Sequence, residues 1–278
     1  MRLAVALASV LLASGPAAAA EPCGTPPGKC PTEHGFYRLA LPESAERPVP
    51  ALLFLHGWGA SSEGVMRQKE MLATLSAHGY ALIAPEGIAK PEWKNRDWGV
   101  RDGTRHPRDD IAFFEEVLED AAHRGVDRDR VLMAGFSRGA SMVWDVACHS
   151  PELASAYAPV AGAFWEPLPE ECAGPVALFH THGWADRVVP IEGRSVADGR
   201  LTQGDAFVSL RVLRRTLGCN PHMPDTAPME ADGRLWLRHW DHCPSGRLDL
   251  MLHPGGHMVP VGWLDRALDW FEARLGEG

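Results

Sequence analysis

Short apolar runs recur along the chain at 51–57 (ALLFLHG), 80–87 (YALIAPEG), 130–137 (RVLMAGFS), 155–162 (SAYAPVAG), 175–183 (PVALFHTHG) and 248–256 (LDLMLHPGG), bounded by glycine or proline. Runs of this length without polar alternation predict strands buried on both faces, as in a parallel sheet. Amphipathic segments separate them. The spacing predicts helices over 63–78, over 109–123 with Ile111, Phe114, Leu118 and Ala121 on one face, over 138–149 and over 205–217. The chain closes on a stripe of Leu264, Leu268, Phe271 and Leu275. Strand and helix alternate throughout, so the predicted class is α/β, a mostly parallel central sheet with helices on both faces. The stretch 219–246 is richer in His, Pro and Trp and predicts a loop with a short hairpin around RLWLRHW (234–240).

Residues 1–20 stand apart. Arg2 precedes LAVALASVLLA, and the stretch ends in PAAAA, the pattern of a secretory signal peptide cleaved near Ala20. Residues 21–278 are then expected to form one catalytic-sized domain, with no internal repeat. No later stretch is apolar for long enough to span a bilayer. A net charge of −9 gives no electrostatic reason to expect nucleic acid or an anionic membrane as partner. Oligomeric state is not legible.

Export makes disulfides the default for the six cysteines. Six cysteines allow fifteen pairings, among which sequence does not choose. Order along the chain suggests Cys23–Cys30, Cys148–Cys172 and Cys219–Cys243, each closing a local loop. Neither His180-Thr-His182 nor His239-x-x-His242 has further ligands at a metal-site spacing, so no metal and no cofactor is expected.

The run 130–137 ends in Gly135-Phe136-Ser137-Arg138-Gly139, directly before a predicted helix. A serine between glycines is an ordinary turn in many settings. In a strand–turn–helix setting it is a nucleophile elbow, where glycines admit the tight bend and the hydroxyl is left exposed. A serine hydroxyl needs a base within hydrogen-bond reach. Asp186 follows the run at 175–183 and His257 follows the run at 248–256, giving the order Ser, Asp, His along the chain. His257 is the expected base, with His253 its rival. Asp186 is the expected orienting acid, with Asp198 and Asp205 as alternatives. The oxyanion of a tetrahedral intermediate needs N–H donors already in place. The expected donors are the amides of Arg138, at a helix start, and Trp58, in the loop after LFLHG, where Gly57 and Gly59 permit close approach.

With Gly135–Gly139, His56-Gly57, HGWADRVVP (182–190), GGHMVP (255–260) and SAYAPVAG in view, the chain resembles α/β-hydrolase esterases of the polyhydroxybutyrate-depolymerase and feruloyl-esterase type. The resemblance covers nearly the whole chain after the leader. It implies Ser137, Asp186 and His257 as the triad, and disulfides Cys148–Cys172 and Cys219–Cys243. It implies structural parts for Asp109 and Asp110, and it places Trp93 and Trp98 of EWKNRDWG beside the acyl site. Polymer-degrading members often carry a linker and a separate binding module; this chain closes soon after His257. The expectation is a secreted or periplasmic serine esterase acting on small-molecule or polysaccharide-linked esters. A peptidase, an acyltransferase or a non-catalytic binding protein are the alternatives on the same fold.

Overall fold

The computed structural model describes residues 23, 28–43, 46–89, 94–220, 222–230 and 232–275. The predicted leader at 1–20 and Trp93 lie outside them. The strands are β1 (Cys30–Pro31), β2 (Phe36–Ala40), β3 (Val49–Leu55), β4 (Ala81–Pro85), β5 (Ile88–Ala89), β6 (Arg96–Asp97), β7 (Val126–Phe136), β8 (Ala156–Val160), β9 (Ala177–Gly183), β10 (Arg194–Val196), β11 (Leu201–Gln203), β12 (Met229–Glu230), β13 (Leu235–Trp240) and β14 (Arg247–His253). The helices are α1 (Ser62–Met66), α2 (Lys69–Ala77), α3 (Asp110–His123), α4 (Arg138–His149), α5 (Ala206–Leu217) and α6 (Trp263–Leu275).

Ten strands form one sheet in the order β1-β2-β4-β3-β7-β8-β9-β14-β13-β12. The six apolar runs supply its parallel centre, β4, β3, β7, β8, β9 and β14. Antiparallel strands flank it: β2 joins β4 on one side, and β13 joins β14 on the other. β13 is the hairpin strand expected around RLWLRHW. The pair β1 and β2 and the small hairpin of β10 and β11 carry no strong sequence signal and were not anticipated.

Side chains of a fully buried strand leave it alternately on two faces. In β3, Leu53 and Leu55 enter one core with Phe113, Phe114 and Val117 of α3 and Val143 and Trp144 of α4. Leu52 and Phe54 enter the other with Met71 and Leu75 of α2 and Trp263, Leu268 and Phe271 of α6. The helix expected over 63–78 is two helices. Gln68 leaves the helical region at φ −76°, ψ 87°. That break brings both Met66 and Met71 into one core, whereas five positions along an unbroken helix would point them well apart.

The three expected disulfides are present, and no described cysteine is free. Cys148–Cys172 ties the end of α4 to the approach to β9, and Cys219–Cys243 ties the end of α5 to the loop before β14. No described helix is long and apolar enough to cross a membrane.

Candidate active site

Functional groups of an open parallel sheet gather beyond the carboxyl ends of its strands. Ser137 follows β7, Asp186 lies three residues past β9, His257 lies four past β14, and the Gly57–Trp58 loop follows β3. These strands are near neighbours in the sheet, so the four loops share one rim.

Ser137 bends the chain from β7 into α4 at φ 57°, ψ −119°. That conformation costs a non-glycine residue about 1–3 kcal/mol and persists only where its surroundings enforce it. Its amide donates to the Val160 carbonyl at 3.0 Å, and its own carbonyl accepts from the Ser141 amide at 3.0 Å. Gly139 presses α4 onto β3, since a Cβ there would collide with the carbonyl oxygens of Leu55 and His56.

Asp186 and His257 are joined: His257 Nδ1 lies 2.7 Å from Asp186 Oδ2. The other carboxylate oxygen, Oδ1, accepts from the amides of Val188 at 2.8 Å and Val189 at 2.9 Å. Burial pushes the Asp186 carboxyl up, but the bonds from His257, Val189 and Val188 outweigh it and hold it below its ordinary range. Donation by Nδ1–H assigns the acceptor role to His257 Nε2. The imidazole packs on Phe136, the residue before the serine, with ring centroids 4.7 Å apart. Among the described residues no hydrogen bond joins it to the Ser137 hydroxyl. Serine–base bonds of this kind commonly tighten only when substrate is bound.

The two amides expected to meet an oxyanion flank the serine. Arg138 opens α4, so its N–H has no intrahelical acceptor. On the other side, a Cβ on Gly57 would lie 3.5 Å from Ser137 Cβ, which places the Trp58 loop against that serine. In that loop Gly59 N–H donates to the Arg96 carbonyl at 2.9 Å and Ala60 N–H donates to the Gly57 carbonyl at 3.1 Å. Trp58 N–H has no acceptor among the described residues. His56 anchors the loop: its Nδ1 donates to the Gly57 carbonyl at 2.8 Å, and its Nε2 accepts from the Gly87 amide at 3.0 Å. Burial lowers the His56 pKa, which keeps this ring neutral and its two bonds intact.

Trp98, expected beside the acyl group, is instead a core residue. It is fully buried against His56 and Phe114, and its Nε1 donates to the His56 carbonyl at 2.7 Å. A side chain with no exposed surface leaves no face for a ligand. Asp109 and Asp110 take structural parts. Asp109 caps α3, and buried Asp110 accepts from Arg108 Nε at 2.6 Å. His180 and His182 bond each other at 3.1 Å in the core.

Sequence reasoning assigned a part to the Arg138 amide and missed its side chain. The guanidinium is buried, with Nε 2.7 Å from Asp97 Oδ1 and a terminal nitrogen 2.7 Å from Asp102 Oδ2. It lies over the Trp165 ring at 4.5 Å. Only half of the signal lies in the sequence: an arginine inside a buried elbow requires carboxylates, but nothing along the chain picks Asp97 and Asp102 from its 36 acidic residues. These groups and Ser137 line a cavity of about 660 Å³, whose lining also includes the β10–β11 hairpin.

The profile of the family described as phospholipase/carboxylesterase matches residues 39–215. The chain is 32% identical over 164 residues to "Putative esterase NocK" of Nocardia uniformis subsp. tsuyamanensis; this covers 57% of the chain and 45% of that protein. The chain thus spans less than half the length of that relative. It is 27% identical over 239 residues to feruloyl esterase D of Neurospora crassa, covering 80% of the chain and 73% of the relative. Its fold is similar to an acetyl xylan esterase from Aspergillus awamori, at 13% identity and TM-score 0.59 over 85% of the chain and 93% of that structure. A carboxylesterase of Bacillus cereus is similar to the same extent of coverage, with TM-score 0.56 and 13% identity. The match over 39–215 covers more than half of the sequence, and the chain belongs to the phospholipase/carboxylesterase family of α/β-hydrolases.

Proposed function

We infer that the protein is an exported serine esterase that hydrolyses carboxylic esters through an acyl-enzyme, with Ser137, His257 and Asp186 as its triad. The observation that carries this reading is the strained Ser137 backbone at the β7–α4 bend, with the bonded Asp186–His257 pair on the same rim. His257 Nε2 removes the Ser137 proton as Oγ attacks the ester carbonyl carbon. The carbonyl oxygen becomes an oxyanion between the amides of Trp58 and Arg138. Collapse breaks the bond to the alkoxy oxygen, and His257 returns the proton to the departing alcohol. Water then repeats the sequence on the acyl-enzyme, releasing the acid and restoring the serine. Asp186 holds the imidazole by Nδ1–H and stabilises its charged form throughout.

Feruloyl, acetyl and hydroxyalkanoate esters are the proposed substrate types. The relative named a feruloyl esterase, aligned over most of both chains, supports the first of these. Export is supported by three disulfides in a chain without a free described cysteine. The test is Ser137→Ala, assayed on a panel of aryl, feruloyl and acetyl-sugar esters. A folded variant should lose at least three orders of magnitude in kcat on every ester the wild type cleaves. A folded variant that retains hydrolysis removes the mechanism.

A further inference from the structure

The cavity beside Ser137 is cationic within an acidic protein. The chain carries net charge −9. Four guanidinium groups and two carboxylates line this cavity. Both carboxylates, Asp97 and Asp102, are taken by Arg138. Arg105, Arg194 and Arg200 therefore face the cavity with no carboxylate partner among the described residues. Two of them are oriented by neutral acceptors. Arg194 Nε donates to the side-chain oxygen of buried Gln203 at 3.1 Å, and Arg200 Nε donates to the Ala197 carbonyl at 3.0 Å. Each bond engages Nε and leaves the terminal nitrogens of that arginine unbonded among the described residues. Asp198, at the tip of the same hairpin, is not among the lining residues.

Arg105, Arg194 and Arg200 are exposed to solvent, but they share one concave site with the apolar side chains of Trp58, Trp165, Val188 and Leu201. Apolar walls exclude water from the body of a ligand and strengthen a charge contact at its end. A planar guanidinium matches a carboxylate through two parallel N–H···O bonds. We propose that this cavity selects esters carrying a free carboxylate at a distance from the scissile bond, held by Arg194 and Arg200 of the β10–β11 hairpin together with Arg105. Such substrates include monoesters of dicarboxylic acids and esters of acidic alcohols. The proposal rests on Ser137 being the nucleophile of an esterase.

The test uses matched carboxylate and carboxamide substrates of nearly constant size, with one shared leaving group in the first pair and two phenols of similar reactivity in the second. One pair places the charge on the acyl side: mono-4-nitrophenyl suberate against its terminal amide. The other places it on the alcohol side: 4-(carboxymethyl)phenyl hexanoate against 4-(carbamoylmethyl)phenyl hexanoate. In at least one pair the wild type should favour the carboxylate about tenfold or more in kcat/KM, mostly through KM. That ratio should shrink as ionic strength rises from 50 to 500 mM, because exposed charge contacts are screened. The doubly substituted Arg194→Gln/Arg200→Gln protein should lower the ratio at least fivefold, and its thermal midpoint reports that the hairpin still folds. Equal or lower kcat/KM for the carboxylate in both pairs overturns the cationic subsite while leaving the esterase reading standing. A preference insensitive to salt and to both substitutions overturns it as well. Hydrolysis of none of the four compounds by the wild type instead overturns the esterase reading itself.

Discussion

The carbonyl oxygen of Gly255 lies 2.5 Å from where a Cβ on Gly183 would begin. The end of β9 and the loop after β14 are thus in backbone contact, without side chains between them. Two further bonds fix the pairing: Trp184 N–H donates to the His253 carbonyl at 2.7 Å, and Ala185 N–H donates to the Gly255 carbonyl at 3.0 Å. Asp186 and His257 follow these two loops, so their 2.7 Å contact depends on this seam. Gly183→Ala should force the loops apart and cost about 1–3 kcal/mol, the usual range for overpacking. We expect a thermal midpoint lower by several degrees. Because the proposed mechanism has this pair act on the chemical step, kcat should fall at least tenfold, with KM changed much less. A wild-type kcat in a folded Gly183→Ala protein would show that the seam does not set the geometry of the pair.

Arg138 makes the elbow's own helix depend on two carboxylates upstream of α3. Burial raises the Asp102 carboxyl, but the Arg138 charge and bonds from Thr104 outweigh it, leaving it below its ordinary range. A carboxyl lowered on folding contributes stability that is present above its unfolded pKa and is lost as pH falls through the folded value. Asp102→Asn leaves Arg138 with Asp97 alone and should cost about 3 kcal/mol near neutral pH, the scale for breaking a buried pair. The gap between variant and wild type should close only below the ordinary carboxylate range. Urea melts at pH 7, 5 and 3 measure it; a gap constant across those values would sink the assignment.

Asp145 predicts the opposite sign. It lies on α4, fully enclosed, and its carboxylate accepts from the Arg101 amide at 2.7 Å. Burial drives its pKa up to about 7, against the opposing pull of that bond and of Arg101 and Arg138. A carboxyl raised on folding binds a proton in the native state that the unfolded chain has released, so this group erodes stability as pH rises from about 4 to about 7. Asp145→Asn keeps an oxygen for the Arg101 amide and removes the ionisation. The variant should match the wild type near pH 4 and be more stable at pH 8. At about 1.4 kcal/mol per pKa unit, the gain is on the order of a few kcal/mol. Differential scanning calorimetry at the two pH values decides it; a variant less stable than wild type at pH 8 contradicts the burial argument.

The contrast between Asp102 and Asp145 also marks what the sequence could convey. The six central strands were legible because each is an uninterrupted apolar run, and a strand buried on both faces has no other pattern. The order of elbow, acid and histidine was legible because each follows such a run. Neighbours in space but not in sequence were not legible. Nothing local in 95–103 says that Asp97 and Asp102 meet Arg138, or that Trp98 turns inward to the His56 carbonyl. The β10–β11 hairpin is three residues a side and mostly polar, so its periodicity is too short to register. Its arginines stand out only from the cavity they line.

Asp186→Asn separates orientation of the imidazole from loss of fold. In the native protein Oδ1 accepts from two amides and Oδ2 faces His257 Nδ1. An asparagine retains the two amide bonds only by keeping its oxygen at the Oδ1 position, which turns its NH2 group toward the imidazole. A donor facing Nδ1 makes that nitrogen the acceptor and moves the ring proton to Nε2, the nitrogen that in the proposed mechanism receives the serine proton. The loop stays held by Val188 and Val189, so the thermal midpoint should shift by only a few degrees. Turnover should fall by about three to four orders of magnitude, the scale seen when a triad's ring is held in the wrong tautomer. Measured kcat on an aryl ester, beside calorimetry of the same sample, tests both halves at once. A folded Asp186→Asn protein with turnover near wild type would mean that another carboxylate, or none, orients His257.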